Sequence, residues 1–176
     1  MKKPIFLPVS IGMIMLVFSF SCEEEKYDFP DVDEYIQQLK SGSYPRRNLP
    51  EFKTSQIPEL MEFRNEAQLI RNFPVNPLSS YYLAECRLGI YVLWTIEYIR
   101  KRKTGIADAL DPWPSLSPVL TPEKDFDRNR PGDLSVASMH AVAATAYFSW
   151  WQNEEGKRTG EVMKTNPLKD TGLRWW

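Results

Sequence analysis

An uninterrupted apolar stretch in the middle of the chain places the strongest constraint on its fold. Residues 88–96 read LGIYVLWTI, so a helix over this stretch is apolar on nearly every side. A helix of that kind is normally covered by other elements all round. We predict that it begins at Ser79 or Ser80 and runs to about Arg102, where a run of cations suits a helix C-terminus. The sequence therefore predicts a central helix wrapped by the rest of a compact domain.

The segment before it carries a clear signal for a first helix. Asp31 with Glu34 three places on is the capping pattern of a helix N-terminus. Apolar residues then recur at helical spacing up to Leu39, and Gly42 is a typical stop. We therefore predict a helix between Asp31 and Gly42.

Taken together, the patterns predict an all-α fold, a compact bundle of four or five helices with long Pro-rich loops. A short second helix is predicted from residue 54 or 55, and a final Ala-rich helix over residues 135–153. The period-2 alternation that is typical of strands is not convincing anywhere. We expect residues 31–156 to form one helical domain and residues 157–176 a weakly structured tail.

The N-terminal segment is typical of a secretory signal. Lys2 and Lys3 give a positive start, and residues 5–20 form a mostly apolar run that contains a proline. That run is shorter than the roughly 20 apolar residues that a membrane-spanning helix needs. A cleaved signal is therefore favoured over a transmembrane anchor.

The end of this segment resembles a bacterial lipoprotein signal. Ser21 is the small residue before Cys22, while Ser19 stands where an aliphatic residue is common. The resemblance implies that residues 1–21 are removed, that Cys22 is lipidated, and that residues 22–30 tether the domain to a membrane. The alternative is an ordinary secreted protein that is cleaved near Ser21.

Three acidic residues follow the cysteine directly. Glu23, Glu24 and Glu25 resemble the export signal of surface lipoproteins of Bacteroidetes. That resemblance implies an outer-membrane lipoprotein that faces the cell exterior. The alternatives are a simple solvated tether, because short like-charge blocks usually stay disordered, and a protein on the periplasmic face.

Charge and cysteine content exclude two classes of protein. Loss of Lys2 and Lys3 with the signal lowers the net charge from −1 to −3, so no strong basic surface for nucleic acid is expected. With Cys22 committed to lipid, Cys86 is the one other cysteine, and no disulfide framework can form within the chain. The fold must be stabilised by its core.

Candidate catalytic residues are few. Cys86 and His140, the single histidine, could form the nucleophile and base of a hydrolase. Both also lie on apolar helical stripes, where a small core residue and a buried neutral histidine are the simpler interpretations. Glu97 is a candidate buried carboxylate, paired with an arginine or with His140. We expect no enzymatic activity and keep the Cys86–His140 hydrolase as the alternative.

Metal and cofactor motifs are weak, whereas aromatic residues are abundant. Residues 125–129 begin like a calcium loop, but Arg130 replaces the required glycine and Val136 the required glutamate. We expect no cofactor and no metal. Trp113, Tyr81 and Tyr82 are candidate ligand-binding residues, since exposed flat rings can stack on sugars. Trp175 and Trp176 at the tail are further candidates for exposed aromatic surface.

Four segments carry a family resemblance. Residues 57–60, 73–80, 85–94 and 140–144 resemble a family of Bacteroidetes outer-membrane lipoproteins of unknown function. The resemblance implies a compact helical domain and no known catalytic residue. We expect a surface-anchored binding or accessory module, with a glycan or an envelope protein as its partner.

Overall fold

The computed structural model describes residues 31–104, 113–123, 137–153 and 161–176. The proposed signal, lipidation site and acidic run at residues 1–30 lie outside these ranges, as does the calcium-loop-like segment at residues 125–129. The described elements, in chain order, are α1 (Val32–Ser41), a 3-10 helix (Thr54–Gln56), α2 (Ile57–Glu62), β1 (Leu69–Ile70), β2 (Cys86–Arg87), α3 (Leu88–Thr104), β3 (Leu120–Pro122), α4 (Ala137–Gln152), a second 3-10 helix (Glu161–Lys164) and β4 (Leu173–Trp175).

The prediction of an all-α fold is wrong, because the chain is mixed α/β. Strand β1 pairs antiparallel with β2, placing Ile70 opposite Cys86, and β3 pairs antiparallel with β4, placing Thr121 opposite Arg174. These strands are only two or three residues long. Segments this short cannot show period-2 alternation, and tertiary contacts rather than local propensity place them in sheets.

Helix α3 is the central helix that the apolar stretch predicts. Every residue from Leu88 to Arg100 is buried, and the helix packs against α2, α4 and the second 3-10 helix. Its predicted start at Ser79 or Ser80 is wrong. The first-turn N–H groups of Leu88 and Gly89 donate to the carbonyls of Gln68 and Glu66, at 2.8 and 2.9 Å. The sequence predicts that a serine side chain caps the first turn of this helix. In the structure, backbone carbonyls from a turn distant in sequence accept these hydrogen bonds instead.

The predicted first helix is confirmed with its caps. The Asp31 carboxylate accepts a hydrogen bond from the Glu34 N–H at 2.9 Å, and Gly42 ends the helix with a left-handed φ of 69°. Four apolar residues at helical spacing are buried against the core: Val32, Tyr35, Ile36 and Leu39.

The C-terminal residues lie against the core. In the segment predicted to be a weakly structured tail, residues 161–176 contain the second 3-10 helix and strand β4. Trp176 is buried, and its N–H donates to the Val119 carbonyl at 2.9 Å. Among the described residues, no helix is both long and apolar enough to cross a bilayer.

Candidate functional site

Cys86 lies on strand β2 rather than on a helix, and its thiol is buried. The Sγ atom lies 3.4 Å from the Arg87 carbonyl oxygen and 3.6 Å from that of Pro118. Burial raises the pKa of the thiol to about 12. The group is therefore protonated near neutral pH, whereas a cysteine nucleophile must be a thiolate.

His140 is buried on α4 and has a different partner. Its Nε2 atom lies 2.8 Å from the Arg64 carbonyl oxygen. A carbonyl oxygen can only accept, so Nε2 carries the hydrogen and donates it. Burial lowers the pKa of the imidazole. In the described part of the chain no hydrogen bond joins Cys86 to His140, so the geometry does not assemble the nucleophile–base pair of a hydrolase.

Glu97 is predicted to pair with an arginine or with His140, and in the structure it pairs with an arginine. Arg100 holds both carboxylate oxygens of Glu97, at 2.6 and 2.8 Å. The Tyr147 hydroxyl donates to Glu97 Oε2 at 3.0 Å and accepts from Trp175 Nε1 at 2.9 Å. Arg100 also donates to the Met163 carbonyl at 3.1 Å. This network joins α3 and α4 to the C-terminal residues. Its polar groups form hydrogen bonds with one another.

Trp113 is a core residue. Its side chain is 7% exposed, and its ring stacks on that of Trp94 with centroids 5.6 Å apart. The Trp94 indole N–H donates to Ser115 Oγ at 2.7 Å. Trp113 thus anchors its loop on α3 and is unavailable to a ligand. At the tail, Trp175 is half-buried and Trp176 buried.

Tyr81 and Tyr82, by contrast, line an open groove with a volume of about 380 Å³. Tyr82 is 86% exposed and the nearby Leu78 72% exposed. The groove is formed by one Pro-rich segment between β1 and β2: Asn72, Phe73, Val75, Asn76, Pro77, Ser79, Ser80, Tyr81, Tyr82, Leu83 and Ala84. Large apolar groups that stay in water beside a concave surface are typical of interaction sites.

Buried hydrogen bonds fix the segment that forms the groove. The Tyr91 hydroxyl, on α3, donates to the Pro74 carbonyl at 2.8 Å. The Asn76 side chain accepts from the Leu78 N–H at 2.9 Å and donates to the Ser115 carbonyl at 3.2 Å. An asparagine that bonds the backbone two residues on forms a turn, which here precedes the exposed residues. The groove is therefore preformed, as ligand sites usually are.

The groove has a distinctive chemistry, because no charged side chain lines it. Its polar groups are amides and hydroxyls, from residues such as Asn72, Ser80 and Tyr82. These groups donate and accept hydrogen bonds without carrying charge. The groove therefore suits a neutral ligand with hydroxyl or amide groups and an apolar face.

Sequence patterns identify only part of this groove. The two tyrosines are among the predicted residues, whereas Asn72, Ser79 and Ser80 are not. The signal that marks Ser79 and Ser80 is the pair of prolines in residues 73–80, which indicates an irregular segment. Among the described residues, no group of three or more His, Cys, Asp or Glu side chains is placed to hold a metal ion.

The fold and groove define a small mixed α/β domain with a preformed, uncharged surface site. The chain belongs to the family described as a domain of unknown function (DUF4943), which matches residues 26–176. No curated protein and no solved structure matches it.

Proposed function

We propose that the protein is a surface-anchored lipoprotein of the outer membrane that acts as a binding or accessory module. The domain family begins at residue 26, just after the cysteine and the acidic run that resemble a lipoprotein signal and its export signal. Lipid on Cys22 would hold the domain at the membrane surface, where its groove meets extracellular ligands. An orientation toward the periplasm is the alternative.

The groove is the proposed binding site, and a neutral glycan is the proposed ligand. The observation that carries this proposal is the 86% exposure of Tyr82 beside a groove with no charged lining residue. A tyrosine ring offers a flat apolar face and a polar tip, which match the C–H face and the hydroxyls of a sugar. Asn72 and Ser80 supply further neutral hydrogen-bonding groups.

A glycan array probed with the purified protein tests the proposal, followed by titration calorimetry with any neutral oligosaccharide that binds. Tyr82→Ala should weaken binding about two- to tenfold, because an aromatic stacking contact contributes about 0.5–1.5 kcal/mol. Phe148→Ala is the matched control, since Phe148 is an aromatic residue on α4 that is 39% exposed and does not line the groove. Equal loss in both variants, or no binding glycan, contradicts the proposal.

An envelope protein is the second candidate partner, favoured by Leu78 and Val75, which are 72% and 38% exposed on the same segment. Interface cores are apolar, so such a partner would bury these side chains. Leu78→Asp should then abolish crosslinking to that partner in intact cells and leave glycan binding little changed. In the Tyr82→Ala and Leu78→Asp variants, a loss of glycan binding without a loss of crosslinking favours the sugar as the ligand. A loss of crosslinking without a loss of glycan binding favours the protein.

We propose no catalytic role for the chain. The high pKa of the Cys86 thiol and the engagement of His140 with the Arg64 carbonyl both weigh against the hydrolase alternative.

A further inference from the structure

A second open cleft lies where the segment after α1 meets the C-terminal end of α3. Its volume is about 440 Å³. The buried residues Phe52 and Ile99 line it. Its remaining lining residues are polar or charged: Glu51, Lys53, Thr54, Ser55, Arg102 and Lys103.

Positive charge dominates this cleft. Three cations, Lys53, Arg102 and Lys103, line it with one carboxylate, Glu51, which leaves a net charge of +2. The chain as a whole is slightly acidic, so this concentration of cations is local. The hydroxyl groups of Thr54 and Ser55 add neutral donors to the same surface.

The guanidinium of Arg102 already has two contacts within the domain. It lies 3.2 Å from the Glu51 carboxylate and 5.4 Å from the centre of the Tyr98 ring. Five N–H donors in a planar fork leave Arg102 able to bind an oxyanion while it keeps one carboxylate contact. Glu51 is therefore a partial counter-charge to Arg102 within the cleft.

The dipole of α3 explains only some of these charges. Cations are favourable near a helix C-terminus, which accounts for Lys101, Arg102 and Lys103 as a run. Lys101 is already bound to the Pro114 carbonyl. Lys53, however, comes from a different segment, before the first 3-10 helix, and still lines the same cleft. Cations from two segments thus line one cleft together with the hydroxyls of Thr54 and Ser55, and such groups form charge-assisted hydrogen bonds to an oxyanion.

We propose that this cleft is a second ligand site, which binds a carboxylate, sulfate or phosphate group of a small molecule through Arg102, Lys103 and Lys53. The proposal is independent of the groove at residues 72–84, because the two sites share no lining residue. Either site could fail its test while the other stands.

Titration of the uniformly ¹⁵N-labelled protein, followed by NMR, tests this site with four probes: glucuronate, glucose 6-sulfate, glucose 6-phosphate and neutral glucose. The acidic sugars should give saturable shifts in the amides of residues 51–55 and 99–103, and glucose should not. The pattern among the three acids identifies which oxyanion is preferred. Added NaCl should weaken the shifts, because the site is open to solvent and exposed charges are screened. Equal response to glucose, or no saturable shift, overturns the proposal.

Charge variants separate this site from a general attraction of anions. Lys103→Gln and Lys53→Gln should each weaken the best acidic probe about fivefold or more, since one charge-assisted contact at an exposed site contributes about 1 kcal/mol or somewhat more. Lys169→Gln is the matched control, because Lys169 is exposed and does not line the cleft. An equal loss in the control variant overturns the proposal. Unchanged amide spectra outside the cleft verify that each variant is folded.

Discussion

At the scale of single residues, Gly89 occupies the tightest position in the start of α3. A Cβ atom added there would lie 2.4 Å from His140 Nε2 and 2.5 Å from the Arg64 carbonyl oxygen. Both atoms belong to one hydrogen bond, so relieving the contact requires a shift of groups that hold each other. We therefore expect Gly89→Ala to lower the free energy of unfolding by about 1–3 kcal/mol, the typical cost of overpacking, as measured by denaturant titration.

Gly172 provides the control for that substitution. It has a left-handed φ of 68° and nothing within 4 Å of an added Cβ. Asparagine tolerates this backbone conformation better than other non-glycine residues, so Gly172→Asn should cost less than Gly89→Ala. Comparable destabilisation by both variants would show that Gly89 is not restricted by its contact with His140.

His140 gives the stability of the protein a pH dependence. Burial, with a smaller contribution from Arg87, lowers the pKa of the folded imidazole below its ordinary value of 6.5. Below pH 6.5 the unfolded chain therefore binds a proton that the folded chain resists, and the free energy of unfolding falls as the pH drops toward the folded pKa. Well above pH 6.5 the imidazole is neutral in both the folded and the unfolded chain, so His140 no longer lowers the free energy of unfolding.

The single histidine makes this effect measurable. Denaturant titration at pH 7.5 and 5.5 should show lower stability at pH 5.5, and His140→Gln should reduce that difference. NMR titration of the imidazole should give a midpoint below 6.5. A midpoint at or above 6.5, or the same pH dependence in the variant, would contradict the assignment.

At the scale of secondary-structure elements, the buried network of Glu97, Arg100 and Tyr147 joins α3, α4 and the C-terminal residues. Glu97→Leu leaves the Arg100 guanidinium buried without its carboxylate, which should cost about 3–5 kcal/mol in the free energy of unfolding. The double variant Glu97→Leu with Arg100→Met removes both charges, so it should recover much of that loss. Denaturant titration of the wild type, both single variants and the double variant measures this coupling. Additive losses would contradict it.

Sequence reasoning identifies the elements with local signals and misses those that depend on distant partners. Helix α1 is predicted with both caps, because Asp31 and Gly42 act within one turn of the helix. The start of α3 and its neighbouring strand β2 depend on the turn at residues 66–70, and nothing within residues 79–88 specifies that pairing. A mixed α/β fold therefore cannot be derived from periodicity alone in this chain.

The candidate site follows the same division. Of the three candidate ligand-binding residues, Tyr81 and Tyr82 line the groove, whereas Trp113 is buried against Trp94. All three are aromatic residues in irregular segments, so composition does not distinguish them. Burial depends on whether α3 offers a ring to stack on, which only the folded structure determines.

At the scale of the whole molecule, the groove and the cationic cleft use different chemistry. The groove is uncharged, while the cleft carries a net charge of +2. One domain could therefore bind neutral and acidic groups at separate places, which would suit a ligand with both kinds of sugar. Tethering at Cys22 would keep both sites within a short distance of the membrane, because only residues 23–30 separate the cysteine from the capping residue of α1.

That tether leads to a prediction about the intact cell. Cys22→Ala removes the thiol that would be lipidated, so the protein should move from the membrane fraction to the soluble fraction. Replacing Glu23, Glu24 and Glu25 by alanine should keep it in the membrane but protect it from protease added to whole cells, since the acidic run is proposed to direct outward display. Fractionation and protease shaving, detected with an antibody to the folded domain, measure the two effects separately.

Replacement of Asp31 and Asp33 by asparagine is the control for the acidic run, because it removes negative charge beyond the tether and leaves an N-cap residue at position 31. This variant should remain at the cell surface. If it is lost from the surface to the same extent as the triple-alanine variant, overall charge rather than the position next to Cys22 directs export. If Cys22→Ala stays in the membrane fraction, the lipoprotein proposal is wrong. The alternative of an ordinary secreted protein cleaved near Ser21 is then wrong as well, because a soluble chain without an anchor would leave that fraction.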